Sequence, residues 1–286
     1  MIIGREVITS PQNRYVSLAR GLANKKNREK DKLFRFDGIK LMCEAVKKGI
    51  EISFVLVEEN KWGFVTEKAE KLYGIKENDL DFKVFTVSES IFAKLSEEMA
   101  PEGVICIAKY AKNVHREIEN DELSLIPRSE KILLLESVRD PQNVGAILRV
   151  AAAFDVDRVV MSSDCADIYN SKTIRASMGT VFGARVDRIF DMPCAVKELR
   201  KCGRRVFAAA LDREAKKLGS FEIENGDCVI IGNEGHGLSV ETIDACDGTV
   251  FIPMADGVES LNAATAAAVL VWEFFGKKTE GGNLDE

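Results

Sequence analysis

Metal ligands and paired cysteines are scarce in this sequence. It contains two histidines, His115 and His236, and its seven cysteines include no Cys-x-x-Cys pair. A structural zinc site usually draws four closely spaced Cys or His ligands, and an odd number of cysteines leaves one thiol outside any disulfide framework. We therefore expect no metal site, thiols packed in the interior, and a cytoplasmic protein. We also expect no histidine-based nucleophilic triad, and we interpret His236 as a solvent-facing loop residue.

Long apolar runs are absent as well. No stretch approaches the ~18 uninterrupted apolar residues of a membrane-spanning helix, and the N-terminus lacks an apolar run of signal-peptide length. The chain has 286 residues, 46% of them hydrophobic, which is enough for two domains with cores of their own. We therefore expect a soluble protein that does not contact membranes.

Two common nucleotide-binding motifs are also missing. No Gly-x-Gly-x-x-Gly segment follows a predicted strand, and no Gly-x-x-x-x-Gly-Lys-Ser/Thr segment occurs anywhere in the chain. The first motif indicates dinucleotide-binding domains and the second indicates phosphate-binding loops. The glycine-rich loop that begins at Gly232 has the opposite spacing, Gly-x-x-Gly-x-Gly. Neither nucleotide-binding class is therefore supported.

Charge is distributed unevenly along the chain. The net charge is −6, yet residues 1–48 contain twelve Lys or Arg against five Asp or Glu, a local balance of +7 that leaves −13 for the remainder. A basic end on an acidic protein indicates a surface for a polyanion, with RNA or DNA as the expected partner. The alternative is that residues 25–32 are only the solvated face of a helix, and charge alone does not separate the two interpretations.

Helix and strand patterns alternate through most of the sequence and predict an α/β fold in two parts. Residues 1–112 form the first domain, 113–130 a polar linker, 131–276 the second domain, and 277–286 a tail. In the first domain we predict helices at 13–24, 38–49, 62–73 and 88–99, and strands at 34–36, 52–57, 82–87 and 103–110. In the second domain we predict strands at 132–135, 158–161, 206–210 and 229–231, a helix near 171–178, and a last helix that ends at Phe275.

Two loops in the second domain have an unusual composition. Residues 232–239 read Gly-Asn-Glu-Gly-His-Gly-Leu-Ser, and residues 252–262 read Ile-Pro-Met-Ala-Asp-Gly-Val-Glu-Ser-Leu-Asn. Each loop follows a run that is typical of a buried strand and leads into a helical pattern. Open α/β sheets bind their ligands at the carboxyl ends of parallel strands, where glycines let the backbone approach a ligand closely. We therefore expect the chemistry at these two loops.

A third segment, residues 136–149, follows the strand at 132–135. Asn143 is a natural N-cap, and the helix after it buries a stripe formed by Val144, Ile147, Leu148, Ala151 and Ala152. Arg149 lies off this stripe, on the same face as Gly145, whose missing side chain leaves room for a bulky group to reach the guanidinium. The alternative is an ordinary surface arginine.

Taken together, the three segments resemble the SpoU, or TrmH-like, family of RNA ribose 2′-O-methyltransferases in the SPOUT superfamily. The resemblance rests on Asn143-x-Gly145-x-x-x-Arg149, on the loop at 232–239, and on the loop at 252–262 with Ala263. The first domain resembles the L30e-like RNA-binding domain of many members. Gln142 and Asp155 stand where glycine is frequent in the family, and neither departure removes a proposed catalytic group.

The resemblance implies a SPOUT-type α/β knot, in which the last helix threads through a loop to form a trefoil knot. It also implies a homodimer built partly on the knotted domain, and S-adenosylmethionine as the cofactor. The family's cofactor contacts map onto Gly232, Ile252 and Leu261, with Ala210 and Leu211 as additions.

The resemblance likewise assigns roles in catalysis. Arg149 would hold the phosphate beside the target ribose and favour the developing alkoxide, although a guanidinium gives up its proton reluctantly and is a poor general base. The residues that would orient the ribose and Arg149 are Asn143, Ser260 and Asn262. Glu234 would brace its loop and pair with a cation.

The expected substrate is ribosomal RNA, specifically 23S rRNA, because family members that act on tRNA often carry short basic extensions in place of an L30e-like domain. Two alternatives remain open. One is a tRNA 2′-O-methyltransferase, and the other is a ribosome-assembly factor that binds RNA without catalysis.

Overall fold

The computed structural model describes residues 2–3, 6–111, 114–212, 214–255, 257 and 260–276. The predicted tail at 277–286 lies outside the described residues, as do Asp256, Val258 and Glu259 of the loop at 252–262. Contacts between Cα atoms divide the chain into two units. The first comprises residues 1–112 and 167–183, and the second comprises 113–166 and 184–286.

The first unit contains a five-stranded sheet with strand order β1-β4-β3-β5-β2, in which β5 runs antiparallel to β2 and β3. Its core includes the fully buried Val16, Leu56, Ile105 and Ile107. The elements of residues 1–112 are β1 (Ile2–Ile3), α1 (Arg14–Gly21), α2 (Lys25–Asp31), β2 (Leu33–Asp37), α3 (Ile39–Lys47), β3 (Ile52–Glu58), α4 (Trp62–Tyr73), β4 (Lys83–Val87), α5 (Glu89–Leu95) and β5 (Val104–Lys109).

The predicted helix at 13–24 is α1, which ends earlier than predicted at Gly21, and a second helix, α2, begins directly after the predicted range at Lys25. Asn13 caps α1 through Tyr15 N, and Asn24 caps α2 because its side chain accepts a hydrogen bond from Lys26 N at 2.9 Å. Asparagine is a strong N-cap, so a new helix begins after residue 24 and α1 does not continue through it. This break places Lys25, Lys26 and Lys30 on the exposed side of a short helix.

Arg28 departs from the basic surface predicted for this region. It is only 3% exposed, and its guanidinium donates to the carbonyls of Leu22 and Ala23 and forms an ion pair with Asp167 at 2.7 Å. A buried arginine with all these partners stabilises the fold and is not available to a polyanion.

Residues 167–183 pack with the first unit although they come from the middle of the range 131–276. Tyr169 stacks on Tyr110 with ring centroids 3.9 Å apart, and Phe34 lies 4.7 Å from Tyr169. This segment contains α7, whose residues are given below. The contact-based units therefore differ from the sequence-based ranges at this segment, because aromatic packing over a long sequence separation leaves no local pattern.

The second unit contains an eight-stranded sheet of order β11-β13-β10-β12-β7-β8-β9-β6, with every pairing parallel. The elements after residue 113 are β6 (His115–Glu117), β7 (Ile132–Leu135), α6 (Pro141–Ala153), β8 (Arg158–Ser162), α7 (Ser171–Ala176), β9 (Val186–Ile189), α8 (Met192–Lys201), β10 (Val206–Ala209), β11 (Lys216–Lys217), β12 (Cys228–Ile231), α9 (Val240–Ala245), β13 (Gly248–Phe251) and α10 (Ala263–Val271). A π-helical turn, Trp272–Gly276, follows α10.

Successive side chains of a strand point to opposite faces, and in this sheet both faces are apolar. Ile132 and Leu134 pack with α8 and α9 in one core cluster, and Leu133 and Leu135 point to the other face, where α6 and α10 pack on each other. All four leucine and isoleucine side chains of β7 are fully buried, as expected for a parallel strand covered on both faces. The α/β class with a parallel sheet is confirmed, and the trefoil knot stays a prediction.

The expected linker at 113–130 has structure of its own in its described part. β6 pairs with β9 at the edge of the sheet, and a 3₁₀ helix, Asn120–Leu125, places the fully buried Leu123 in the core beside α8. Among the described helices, none is both long and apolar enough to cross a membrane.

Candidate active site

Three loops that the sequence singled out lie at one edge of the parallel sheet. They follow β7, β12 and β13, and the chain after β10 reaches the same edge because all these strands run in one direction. β12 lies between β7 and β10, and β10 lies between β12 and β13. The strand order therefore brings the segments 136–143, 232–239 and 252–262 together from distant parts of the sequence.

Asn143 joins two of these loops to α6 through its side-chain amide. Its Nδ2 donates to Glu234 Oε1, and its Oδ1 accepts a hydrogen bond of 2.9 Å from Asn262 Nδ2. Asn143 is 8% exposed, so both partners satisfy a largely buried group. Three of the predicted catalytic residues, one from each motif, thus form a single hydrogen-bonded chain.

Asn143 is not the N-cap of its helix, and this prediction was wrong. Asp140 caps α6 by accepting a hydrogen bond of 2.8 Å from Gln142 N, and Pro141 occupies the first helical position, where its missing N–H costs nothing. The Asp-Pro pair starts the helix three residues before Asn143. As a result the Asn143 side chain is free of capping and available to Glu234 and Asn262.

Asn262 is itself an N-cap. Its Oδ1 accepts hydrogen bonds from Ala264 N at 2.9 Å and Thr265 N at 3.3 Å, at the start of α10. The capping fixes the side chain, so its Nδ2 is aimed at Asn143 before any ligand is present.

The loop at 232–239 is a tight turn closed by its own backbone. Asn233 and Gly237 exchange two hydrogen bonds of 3.0 and 2.9 Å, and Asn233 Oδ1 accepts from Gly235 N at 2.8 Å. A Cβ at Gly232 would lie 2.5 Å from the Gly237 carbonyl carbon, so only glycine fits there. Glu234 is exposed on this turn and forms no ion pair with another described residue, so its expected pairing with a cation stays a prediction.

Glu136 was missed by the sequence analysis although it holds the same loop. It is 8% exposed and accepts hydrogen bonds from Ser239 N and Ser239 Oγ, each at 3.0 Å, and from Thr242 Oγ1 at 2.7 Å. Ser239 caps α9, so Glu136 connects the end of β7 to the start of that helix. Its position directly after a buried strand was the available signal.

A second missed group surrounds Asp164, after β8. Burial favours a raised pKa, but hydrogen bonds from Ser162, Arg139 and Ser137 and the charge of Arg139 outweigh it and lower the pKa of Asp164 to about 2. The carboxylate is therefore ionised at neutral pH and holds Arg139 at 2.9 Å.

A cavity of about 430 Å³ opens beside these loops. Four of the five predicted cofactor contacts line it, namely Ala210, Leu211, Ile252 and Leu261, and so does the predicted catalytic Ser260. Gly232 is not among the lining residues. Phe251, Met254 and Leu270 give the remainder of the wall a mainly apolar character.

Arg149 lies on α6 with its side chain exposed, off the buried stripe, as predicted. Val144, Ile147, Leu148 and Ala151 form that stripe, whereas Ala152 is exposed, contrary to prediction. Among the described residues Arg149 has no hydrogen-bond or ion-pair partner, so its guanidinium is available to a ligand. His236 is exposed in its loop, as interpreted from the sequence.

The described residues hold no group of three or more His, Cys, Asp or Glu side chains that could bind a metal ion. All seven cysteines are free thiols.

Family models match both units. The model of the SpoU rRNA Methylase family matches residues 130–272, which is half of the chain, and the model of the MRM3-like substrate binding domain matches residues 13–106. These ranges cover all three motifs and the first unit's sheet apart from its short first strand and the end of β5.

Individual relatives match along most of the chain. The sequence is 29% identical to the 23S rRNA (guanosine(2553)-2′-O)-methyltransferase RlmP of Bacillus subtilis, over 94% of this chain and 99% of the relative. It is 27% identical to the uncharacterized tRNA/rRNA methyltransferase slr1673 of Synechocystis, over 93% and 92%.

Solved structures share the fold. An AdoMet-bound rRNA methyltransferase from Sinorhizobium meliloti superimposes with a TM-score of 0.78 at 25% identity, over 96% of this chain and 98% of that one. The methyltransferase AviRb from Streptomyces viridochromogenes, also in complex with AdoMet, gives a TM-score of 0.74 at 22% identity, over 94% and 100%, and shows the fold alone.

Proposed function

The chain belongs to the SpoU rRNA methylase family, and we propose on this premise that it transfers a methyl group from S-adenosylmethionine to a ribose 2′-hydroxyl of RNA. We propose 23S ribosomal RNA as the substrate, because the Bacillus subtilis relative that aligns over nearly its whole length is named for that reaction. The observation that carries the proposal is the hydrogen-bonded chain of Glu234, Asn143 and Asn262 at the strand ends next to the 430 Å³ cavity.

The cavity fits S-adenosylmethionine in size and in chemistry. Its volume lies within the range of about 300 to 1,000 Å³ that is typical of small-molecule sites. Its wall is mainly apolar, which suits an adenine ring, and the backbone groups of Leu211, Ile252 and Leu261 have no hydrogen-bond partner in the described chain. A bound cofactor would supply an electrophilic sulfonium methyl group.

We assign the cofactor to Ala210, Leu211, Ile252 and Leu261, which line the cavity, and to Gly232 through the backbone of its loop. Gly232 supports the site in a further way, because the close packing of residue 237 against it fixes the turn that carries Glu234. The RNA-facing residues in the proposal are Asn143, Arg149, Glu234, Ser260 and Asn262.

Catalysis of this reaction depends mainly on positioning the reactants and on stabilising the charge that develops on the ribose oxygen. The ribose oxygen forms its bond to the methyl carbon as the sulfur–carbon bond breaks, and the hydroxyl proton leaves to water. We assign the exposed Arg149 to the phosphate beside the target ribose, where its charge also favours the developing alkoxide. We do not assign it as the proton acceptor, because arginine in proteins stays protonated.

Asn143 and Asn262 orient the ribose in this proposal. Both ends of each amide are held by protein, since Asn143 donates to Glu234 and accepts from Asn262, and Asn262 also accepts from the start of α10. A fixed amide presents donors and acceptors to a hydroxyl without losing side-chain entropy on binding. Ser260 lines the cavity, and we assign it to bridge cofactor and ribose.

The remaining parts of the proposal follow from the family. We propose a homodimer through a knotted second domain. We place the reaction in the cytoplasm. Lys25, Lys26, Lys30 and Lys32 are exposed and form the part of the first unit that we propose to contact RNA.

The test is a methyl-transfer assay with labelled S-adenosylmethionine and unmodified RNA transcripts. We expect label in 23S rRNA, recovered after digestion as a 2′-O-methylated nucleoside, and none in a tRNA pool. Label in tRNA alone would reassign the substrate. Cofactor affinity without transfer to any cellular RNA, or no cofactor affinity at all, would contradict the enzyme assignment.

A further inference from the structure

The carboxyl ends of β7, β8 and β9 carry two arginines and an exposed phenylalanine that the reaction does not use. Arg139 follows β7, Arg188 lies in β9, and Phe190 comes directly after β9. These strands are consecutive in the sheet, and β7 is also the strand that leads to Asn143. We call Arg139, Arg188 and Phe190 the strand-end strip. It extends from the candidate active site outward along the same edge.

Arg139 is held in place by a carboxylate with fixed partners. Asp164 Oδ2 accepts from Arg139 Nη2 at 2.9 Å and from Ser137 Oγ at 2.7 Å, and Asp164 Oδ1 accepts from Ser162 Oγ at 2.6 Å. Only one of the five guanidinium N–H groups is needed for this contact, and the side chain is 68% exposed. The arginine is therefore oriented by protein while most of its donors face solvent.

Arg188 flanks the same loop. Its Nη2 donates to the carbonyl oxygen of Cys165 at 3.1 Å, one residue after Asp164. Register pairs Met161 of β8 with Arg188, and Ser162 with Ile189, so Phe190 stands one residue beyond the last strand pair. Neighbouring strands lie about 4.8 Å apart, which puts the ends of β7 and β9 roughly 10 Å from each other along the edge.

Phe190 has no place in the core. Its side chain is 74% exposed, whereas Ile189 before it and Met192, the first residue of α8, are buried in one core cluster. The nearby Asp191 is already engaged, because its Oδ1 accepts from Cys194 N at 2.9 Å as the cap of α8. An exposed aromatic ring beside oriented arginines matches the way proteins bind single-stranded RNA, in which bases stack on rings and cations contact phosphates.

We propose that the strand-end strip binds the RNA segment next to the target nucleotide, with Arg139 on a backbone phosphate and Phe190 stacked on an unpaired base. The inference rests on the proposed function for the identity of the ligand. Two features favour RNA over a second copy of the chain: most of the Arg139 guanidinium donors face solvent, and the strip is continuous with the candidate active site. Arg188 supports the loop that orients Arg139 and adds positive charge.

The experiment measures binding of the full chain to a transcript of 23S rRNA across a series of salt concentrations. The variants are Arg139→Ala, Phe190→Ala and Phe190→Leu. Arg185→Ala is the matched control, because Arg185 is also exposed and paired with a carboxylate, Glu130 at 3.5 Å, but precedes β9 at the opposite end of the strand. Cofactor affinity and thermal melting of each variant establish that it is folded.

We expect Arg139→Ala to weaken RNA binding and to lower the slope of log affinity against log salt by roughly 0.7 to 0.9, the value for one lost phosphate contact. Phe190→Ala and Phe190→Leu should both weaken binding by roughly 5- to 150-fold with an unchanged slope, because a leucine cannot replace the stacking ring. Arg185→Ala should match the wild-type protein in both quantities.

Wild-type affinity and slope in Arg139→Ala and both Phe190 variants would overturn the inference. A smaller molecular mass of Phe190→Ala in light scattering, with unchanged RNA affinity, would also overturn it and assign the strip to an interface between copies of the chain. Methyl transfer by the wild-type protein is measured in the same samples. Its absence contradicts the proposed function, whereas the binding data still decide whether the strip contacts RNA.

Discussion

At the scale of single residues, the amide of Asn143 is where three separate motifs meet. It donates to Glu234 and accepts from Asn262, and it is nearly buried. The direction of both hydrogen bonds is set by chemistry, because a carboxylate only accepts and the Asn262 oxygen is already occupied by α10. One side chain therefore fixes the relative position of α6, the loop at 232–239 and the start of α10.

The direction of the hydrogen bond from Asn143 to Glu234 gives a prediction for this pair. Asn143→Asp places a second carboxylate against Glu234, and we expect methyl transfer to fall by about a hundredfold through misplaced groups. Adding Glu234→Gln supplies an amide donor and should restore a large part of the activity, although Glu234→Gln alone impairs it. A double-mutant cycle of kcat/KM measures the effect, and no recovery in the double variant would show that the pair does not act through this hydrogen bond.

Arg149 supports a second prediction at this scale. Because its side chain is exposed and without a protein partner in the described chain, its replacement should leave the fold and the cofactor site intact. We expect Arg149→Ala and Arg149→Lys each to lower methyl transfer by at least about a hundredfold, since a lysine cannot contact a phosphate in bidentate geometry. Calorimetry should show unchanged affinity for S-adenosylmethionine. Full activity in Arg149→Lys would reject the bidentate role.

At the scale of elements, the edge of the parallel sheet is shaped by how each segment ends. Asp140 and Pro141 start α6, Asn262 starts α10, and Ser239 starts α9 under the carboxylate of Glu136. Asp155, where the family often has glycine, has φ +53° and follows the last turn of α6. Val156 N donates to Ala151 O at 2.9 Å across this turn, so Asp155 occupies the left-handed position that glycine usually takes at a helix end.

The turn at 232–237 gives the element-scale prediction. A methyl group at Gly232 would overlap the backbone of residues 237 and 238, so Gly232→Ala should open the turn and displace Glu234. Gly248→Ala is the matched control, because a Cβ at Gly248 meets no atom within 4 Å and its φ is negative. We expect Gly232→Ala to lower both methyl transfer and melting temperature, whereas Gly248→Ala retains both. Equal behaviour of the two variants would contradict the packing described for this loop.

Local sequence patterns predicted some elements well. They failed where contacts between residues remote in sequence determine the structure. The helix at 62–73 has its predicted bounds, and the loops at 232–239 and 252–262 follow strands and precede helices as predicted. The N-cap of α6 was wrong because Asn143 competes with the stronger Asp-Pro start. Buried Leu123 and the edge strand β6 were not predicted, since short polar segments gain their structure from neighbours that are remote in sequence.

Only part of the candidate site could be predicted from the sequence. Asn143, Glu234 and Asn262 were found through motifs, and the structure connects them. Glu136, Asp164 and Arg139 were not found, because a single acidic or basic residue after a strand resembles any surface residue until its partners are known.

At the scale of the whole molecule, the reactivity of the thiols tests how well the protein interior excludes water. Burial raises the pKa of Cys228 to about 12 and that of Cys246 to about 12, and also raises the pKa of Cys165. Because a thiolate is the reactive form, a thiol with such a pKa is almost fully protonated at pH 8. We expect a thiol reagent to label Cys194 and Cys202 first in the folded protein, and all seven cysteines in denaturant. Rapid labelling of Cys228 in the folded state would contradict the burial of β12.

The whole molecule combines a basic first unit with a domain of the SpoU rRNA methylase family. Its proposed activity is methylation of RNA on ribose. Mapping of 2′-O-methylation across the RNA of cells tests it most directly, in cells with the gene, cells without it, and cells that carry Arg149→Ala. We expect one position in 23S rRNA to lose its methyl group in the deletion and in the Arg149→Ala cells, and to regain it with the wild-type gene. An unchanged methylation map in the deletion would contradict the account.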